Sequence, residues 1–333
     1  MGVQVVPAKR LIKSVSAKAR SGGSLLSQER MRTVSRGISL RALGSKPEAA
    51  VEELVQGGGH GLKDEQLSAL QKLLPDSMER QAIASFRMGQ HPRHQGKTDL
   101  DRLGKEDKVA VLLISIPDVD EMLETLQFQR QYPDLLKEVE EQLVLIQQAC
   151  EGVVSSRQLK LLLHCLLDGG NYLNEGTLRA GALGFELASV ATAAGTKDKN
   201  HTSLLCHALR EVARVCPDIS HLPTQLLPVT KAADLKMGSI DNRMGELKSG
   251  LSKWGRQAGK KPAHSSDEQE TKVAHQRASH SFAQLEVLRG AAMGSLQGLA
   301  KHMATAFKSQ NPTEVLGFVH DMLVEVAAAL PKM

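Results

Sequence analysis

Aromatic residues are scarce in this 333-residue sequence: they make up 3% of it, with one Trp, two Tyr and six Phe. Leu, Val, Ile, Met and Ala must therefore fill the core, and this favours helices, because strands draw on aromatic and β-branched side chains. The shortage also leaves few of the aromatic platforms on which single-stranded nucleic acids stack. We expect a helical protein that does not bind nucleic acid.

Long hydrophobic runs and catalytic motifs are also missing. No stretch approaches the roughly 18 apolar residues of a membrane-spanning helix, so no span is predicted. The GxSxG, HExxH and Ser-His-Asp patterns are absent, which argues against an enzyme. His91 and His94 have no third ligand nearby, and His201 and His207 are expected to be surface or packing residues, so no metal or other cofactor is predicted. The four cysteines form no CxxC pair and follow no secretory leader, which predicts free thiols in a reduced, intracellular compartment.

Acidic residues are absent before Glu29, although the whole chain carries a net charge of only +5. Residues 1–28 are therefore predicted to be a disordered basic tail. A mitochondrial presequence has a similar composition and is a second interpretation of the same residues. The basic tail also leaves open a different class of function, in which it attaches a helical protein to a membrane or to nucleic acid.

Apolar residues recur at helical spacing along most of the chain. The run VAVLLISI at 109–116 is predicted to be a buried helix rather than a strand, because charged helical sequence flanks it and Pro117 ends it. Pro133 is expected to interrupt the helical structure. The stretch 255–281 has so few apolar residues that it is either a mobile surface loop or a long, exposed helix. The apolar stripes predict three further helices: Asp64 to Leu74, Asp134 to Cys150, and one containing Leu159 to Leu167.

A glycine-rich run, GGNYLNEGTLRAGALGF at 169–185, follows the last of these helices. A phosphate-binding loop would require GxGxxG after a strand, or GxxxxGK followed by Ser or Thr, and the run fits neither spacing. We therefore predict a turn that breaks the helix.

The same run, followed by LASV, GTK and TSLL, resembles the signature of the formin homology-2 domain. Flanking segments at 30–43, 70–80, 115–132, 147–163 and 222–251 resemble segments of that domain in the same order, so that the resemblance covers about residues 28 to 330. The residues that match the signature are Gly170, Asn171, Tyr172, Leu173, Asn174, Gly176, Gly181, Gly184, Phe185, Leu187, Thr196, Lys197, Leu204 and Leu205.

The resemblance implies an all-α, elongated, actin-binding domain in the cytoplasm, associated with the cytoskeleton. Its knob would span about residues 29–98, and its post and coiled-coil-like helices about residues 99–330. In the family, two copies form a ring that promotes actin filament nucleation and barbed-end elongation. The resemblance assigns actin contacts to Ile38 and Lys197, although a core position for Ile38 and a solvated loop position for Lys197 stay open. It assigns the post, which receives the second subunit, to Gly170, Asn171, Tyr172, Asn174, Gly176, Gly181, Gly184 and Phe185.

The sequence departs from the family in several places. No Trp precedes the knob, so the lasso that links two subunits is predicted to be truncated or missing. Ser35 replaces the usual Asn of the knob, and Gly195 replaces the Asp before TK. No two prolines are adjacent, so a proline-rich profilin-recruiting segment is not predicted. A non-dimerising formin-like protein that binds actin, or acts as a scaffold without nucleating filaments, is therefore the alternative to a homodimeric nucleator.

Overall fold

The computed structural model describes residues 24–26, 29–56, 58–91, 99–100, 103–184, 186–260, 266–303, 308 and 311–332. All regular secondary structure within these residues is helical, and the β-pairing found there is an isolated bridge between Lys197 and Ser203. The predicted all-α class is confirmed. The described residues divide into two compact units, with unit 1 drawn from residues 1–132 and 252–269 and unit 2 from residues 133–251 and 270–333.

Unit 1 is built around a helix, α5 (Lys105–Ile114), whose second half is apolar on all sides. The helices that contribute to this unit are α1 (Arg30–Ala42), α2 (Pro47–Gln56), α3 (Asp64–Lys72), α4 (Ser77–Arg87), α5 (Lys105–Ile114) and the first part of α6 (Val119–Ser155). Val109 and Leu113 of α5 are buried in one hydrophobic cluster with α2, α3 and α6, whereas Ala110 and Val111 are buried in a second cluster with α4. Because α5 packs on both sides, its sequence shows neither amphipathic spacing nor alternation. The predicted buried helix is confirmed over residues 109–114, and Ser115 caps its end.

A short N-terminal segment is docked onto the second cluster of unit 1. Leu25 and Leu26 are buried there. The buried Asp107 Oδ1 accepts hydrogen bonds from Ser24 Oγ (3.0 Å), Leu25 N (3.1 Å) and Leu26 N (3.2 Å). These three residues belong to the stretch predicted to be a disordered tail, and they are packed. Residues 1–23, 27 and 28 lie outside the described residues.

Helix α6 continues through Pro133, so the predicted break at this residue is wrong. Proline cannot donate the hydrogen bond that the carbonyl of Gln129 would accept, and an interior proline costs a helix about 3 kcal/mol. Burial on both sides of the proline offsets this cost: Leu123 precedes it in unit 1, and Leu143 follows it in unit 2. The proline instead stands where unit 2 begins.

Unit 2 gathers the remaining helices, and α14 packs against several of the shorter ones. They are the last part of α6, α7 (Arg157–Leu173), α8 (Leu187–Ala194), α9 (Leu204–Val215), a 3-10 turn (Pro217–His221), α10 (Leu222–Gln225), α11 (Leu227–Ala232), most of α12 (Met237–Lys260), most of α13 (Ser266–His302), α14 (Glu314–Ala329) and a 3-10 turn (Leu330–Lys332). Of the stretch 255–281, the described residues belong to two helices, α12 and α13, and about half of them are exposed, so they are helical but not exposed nearly all round. Residues 261–265 lie outside the described residues.

Candidate functional site

Helix α1 carries a row of exposed apolar side chains that includes Ile38. The exposed fraction is 62% for Ile38, 79% for Met31 and 57% for Val34. Their spacing of three and then four residues places them on one face of the helix. The possibility that Ile38 is a core residue is therefore excluded, and the face defined by Met31, Val34 and Ile38 is named the α1 face below.

Ion pairs hold the opposite side of α1 to the start of α4. Arg36 pairs with Glu79, and both side chains are almost fully buried, with exposed fractions of 5% and 4%. One turn earlier, Arg32 pairs with Asp76. Asp76 also caps α4, because its Oδ1 accepts from Glu79 N (2.9 Å) while Glu79 Oε2 accepts from Asp76 N (3.0 Å). This reciprocal capping box holds both carboxylates in place independently of their ion pairs with the arginines.

The charge of Asp76 is stabilised by the same contacts. The hydrogen bond from Glu79 N, followed by that from Arg32, lowers the pKa of the Asp76 carboxyl. In return, Asp76 raises the pKa of Arg32. Both groups therefore stay charged at neutral pH, and the buried Arg36–Glu79 pair lies beside them. The α1 face is thus supported from behind by four charged side chains.

The glycine-rich run begins inside α7 rather than ending it. The helix runs to Leu173, so the predicted break occurs after GGNYL and not at the two glycines. A Cβ atom added to Gly169 would lie 2.6 Å from Leu204 Cδ1, whereas one added to Gly170 would meet nothing within 4 Å. Gly169 therefore lets α7 approach α9, and this tertiary contact keeps the helix intact through residues with poor helix propensity.

A loop follows α7, and Asn171 fixes its far end. Asn171 Nδ2 donates to the carbonyl of Ala182 (2.9 Å), and Asn171 Oδ1 accepts from Ala182 N (2.8 Å). Gly176 and Gly181 have φ values of 76° and 71°, a left-handed conformation that side chains disfavour. Three of the residues assigned to the post thus have a defined structural role: they shape this loop.

The end of α7 and its loop expose four large apolar side chains. Tyr172 has an exposed fraction of 76%, and Leu173, Leu178 and Leu183 are exposed as well. Gly184 is exposed, and Phe185 lies outside the described residues. The four side chains, Tyr172, Leu173, Leu178 and Leu183, are named the post surface below.

Lys197 lies in a tight turn that leads into α9. The turn closes through the bridge between Lys197 and Ser203, which consists of two hydrogen bonds, from Leu204 N to the carbonyl of Thr196 (2.8 Å) and from Asp198 N to that of Thr202 (2.9 Å). Ser203 caps α9 by accepting from the backbone N–H of Cys206. The Lys197 side chain is exposed, as expected for a loop lysine.

Asp198 connects this turn to α9, a role that sequence analysis did not predict. Its Oδ1 accepts from Asn200 N (2.8 Å) and Thr202 N (2.9 Å), and its Oδ2 lies 3.0 Å from His207 Nε2. The hydrogen bond from Thr202, followed by that from His207, lowers the pKa of Asp198. His207 was expected only to be a surface or packing residue. An Asp two residues before Asn in a polar run is a signal for this type of turn, but it gives no hint of His207.

Within the described ranges, no group of three or more His, Cys, Asp or Glu side chains could hold a metal ion. None of the described helices is long and apolar enough to cross a membrane.

The four cysteines are free thiols, and burial raises the pKa of Cys150 to about 12, so this thiol is unreactive at neutral pH. Of the two histidines weighed as metal ligands in the sequence, His91 lies within the described residues and His94 lies outside them.

Comparisons with known proteins indicate the family of the chain. A family model described as Formin Homology 2 Domain matches residues 5–327. Disheveled-associated activator of morphogenesis 1 from Mus musculus is 30% identical over 241 residues, which cover 70% of this chain and 22% of that protein. Formin-like protein 6 from Oryza sativa subsp. japonica is 27% identical over 193 residues, 58% of this chain and 13% of that protein. The human Disheveled-associated activator of morphogenesis 1 is 33% identical over 158 residues, 46% of this chain and 14% of that protein.

The chain spans less than a quarter of the length of these relatives. The family model, by contrast, covers nearly the whole chain, from residue 5 to the last turn of α14. The chain therefore belongs to the formin homology 2 domain family.

Proposed function

We propose that this chain binds actin through the α1 face and Lys197, and that it promotes filament nucleation and barbed-end elongation in the cytoplasmic cytoskeleton. Membership of the formin homology 2 domain family supports the proposal. The observation that carries it is the exposure of Ile38 on a helix whose other side is held by buried charges.

The α1 face suits an apolar groove on a partner. Burying one isoleucine side chain in such a groove contributes about 2 kcal/mol. Because Arg36 and Glu79 already fix the helix behind it, little backbone freedom is lost when Ile38 is buried. Met31 and Val34 extend the same row and add apolar area to the contact.

Lys197 suits a polar contact at the rim of the interface. An exposed lysine contributes less to affinity than a buried apolar anchor, and more to the rate and orientation of approach. Its exposure and its place in a closed turn both support this assignment.

Pyrene-actin assembly tests the proposal. We expect the wild-type chain to accelerate assembly over buffer and Ile38→Ala to lose most of this acceleration, because the anchor is removed. Val287→Ala is a matched control, since Val287 is an exposed aliphatic residue of α13, and it should behave as wild type. Identical curves for buffer, wild type and Ile38→Ala would rule the function out.

The alternative is a chain that binds actin without forming a ring. The sole tryptophan of the sequence, Trp254, is buried in unit 1, with its ring centroid 6.5 Å from that of Tyr132. It is therefore not available to a second subunit, although the post surface would bury apolar area in a homodimer. Sedimentation velocity at micromolar concentration separates the two: a dimer supports the ring mechanism, and a monomer that cosediments with filaments supports the alternative.

A further inference from the structure

We propose that Asp198 is a positioning residue for Lys197 and that His207 is the point on α9 to which Asp198 anchors the turn. The turn formed by residues 196–203 is named the lysine turn. The inference rests on the proposed contact between Lys197 and actin, and it concerns how that lysine is held.

The carboxylate of Asp198 joins two separate elements. Its Oδ1 closes the lysine turn from inside, by accepting from the backbone N–H groups of Asn200 (2.8 Å) and Thr202 (2.9 Å). Its Oδ2 reaches out of the turn to His207 Nε2 (3.0 Å), on the second turn of α9. One side chain thus fixes both the shape of the turn and its position on the helix.

The backbone of Lys197 is held between two hydrogen-bonded neighbours. On one side, the carbonyl of Thr196 accepts from Leu204 N (2.8 Å), and on the other, Asp198 N donates to the carbonyl of Thr202 (2.9 Å). The Lys197 side chain extends from this fixed backbone into solvent. Orientation of the ammonium group therefore depends on the turn, and a fixed turn reduces the entropy lost when the lysine contacts a partner.

The charge of Asp198 has the wrong sign for a direct contribution to binding an acidic partner. Placed beside Lys197 and Lys199, a carboxylate weakens the local positive field, so electrostatics alone predicts tighter binding once it is removed. Positioning predicts the opposite result, because without Asp198 the turn and its lysine lose their anchor. The two explanations therefore differ in the direction of the effect.

The experiment measures actin binding by cosedimentation for wild type, Lys197→Ala, Asp198→Ala and the double variant. We expect Lys197→Ala to weaken binding roughly 3- to 10-fold, in the range of a rim charge. Asp198→Ala should weaken it by a similar factor, and the double variant should be no weaker than Lys197→Ala, since Asp198 acts through Lys197. The melting temperature of Asp198→Ala should fall only slightly, because the lost hydrogen bonds lie in an exposed turn.

Three further variants sharpen the result. Asp198→Asn keeps an oxygen that can accept from Asn200 and Thr202, so it should lose less binding than Asp198→Ala. His207→Ala should lose binding as well, since it removes the anchor on α9. Glu211→Ala on α9 removes one negative charge from an exposed pair with Arg214 and should bind as wild type.

The outcomes separate this inference from the proposed function. If Lys197→Ala weakens binding while Asp198→Ala binds as well as or better than wild type, Asp198 is not a positioning residue and the actin contact stands. Losses that add in the double variant overturn the inference in the same way. If Lys197→Ala binds as wild type, the proposed lysine contact fails and the inference fails with it.

Discussion

Ile38 and Lys197, the two proposed contacts, are held by different means. Ile38 belongs to a helix whose rear is fixed by the buried Arg36–Glu79 pair in unit 1. Lys197 belongs to an exposed turn in unit 2 that is closed by backbone hydrogen bonds and by the exposed carboxylate of Asp198. An apolar anchor gains its free energy from close contact and so requires a rigid support, whereas a charge acts over a Debye length of roughly 8–10 Å and tolerates a lighter one. Each kind of support matches the interaction it serves.

The largest expected effect comes from removing the buried support of the α1 face. Arg36→Ala leaves the Glu79 carboxylate buried without its closest charged partner, and we expect the free energy of unfolding to fall by about 3 kcal/mol. Urea denaturation measures this loss. Arg32→Ala is the control, because Arg32 is more exposed and its loss should cost less than about 1 kcal/mol. Equal losses for the two variants would contradict the contrast between a buried and an exposed pair.

A smaller effect separates the two neighbouring glycines that precede Asn171. Gly170→Ala should raise the free energy of unfolding by about 0.5–1 kcal/mol, because alanine favours a helix and the added Cβ meets open space. Gly169→Ala should instead lower it by about 1 kcal/mol, because the Cβ would displace Leu204, which begins the helix that anchors the lysine turn. Thermal or urea denaturation of both variants tests the difference in sign. A stabilising Gly169→Ala would show that the approach of α7 to α9 does not need glycine.

The smallest effect concerns pH and the two aspartates, Asp76 and Asp198, one in the support of each proposed contact. Hydrogen bonds lower the pKa of Asp76 and of Asp198. A lowered pKa contributes stability that is fully present above the ordinary aspartate value near 3.9 and is lost as pH falls through the folded value. We therefore expect carboxyl ¹³C titrations of both residues to have midpoints below about 3.9.

The partners of the two aspartates provide the control. His207→Gln should raise the midpoint of Asp198 and leave that of Asp76 unchanged, because Arg32 and not histidine pairs with Asp76. A midpoint of Asp198 at or above the ordinary value in the wild-type chain would contradict its hydrogen-bonded role. So would a titration of Asp198 that His207→Gln leaves unaltered.

The sequence predicted those features that local patterns determine. The apolar run of α5 predicted a buried helix, and the GNYLN and TK motifs predicted the family. Pro133 and the glycines of α7 were misjudged for one reason: packing outside the local window kept both helices intact. The Asp198–His207 pair was missed because it joins a turn to a helix nine residues along the chain, where no periodicity connects the two side chains.

The buried pair behind α1 also affects how this protein can change over evolutionary time. Exposed side chains such as Met31 and Val34 contribute little to folding, so most substitutions there leave the folded population intact. The residues that hold the helix, Arg36 and Glu79, are constrained together, since replacing either alone leaves a buried charge. Selection can therefore adjust the proposed recognition surface of α1 without first accumulating surplus stability, because Arg36, which ties α1 to Glu79 of α4, lies on the other side of α1 from the proposed contacts.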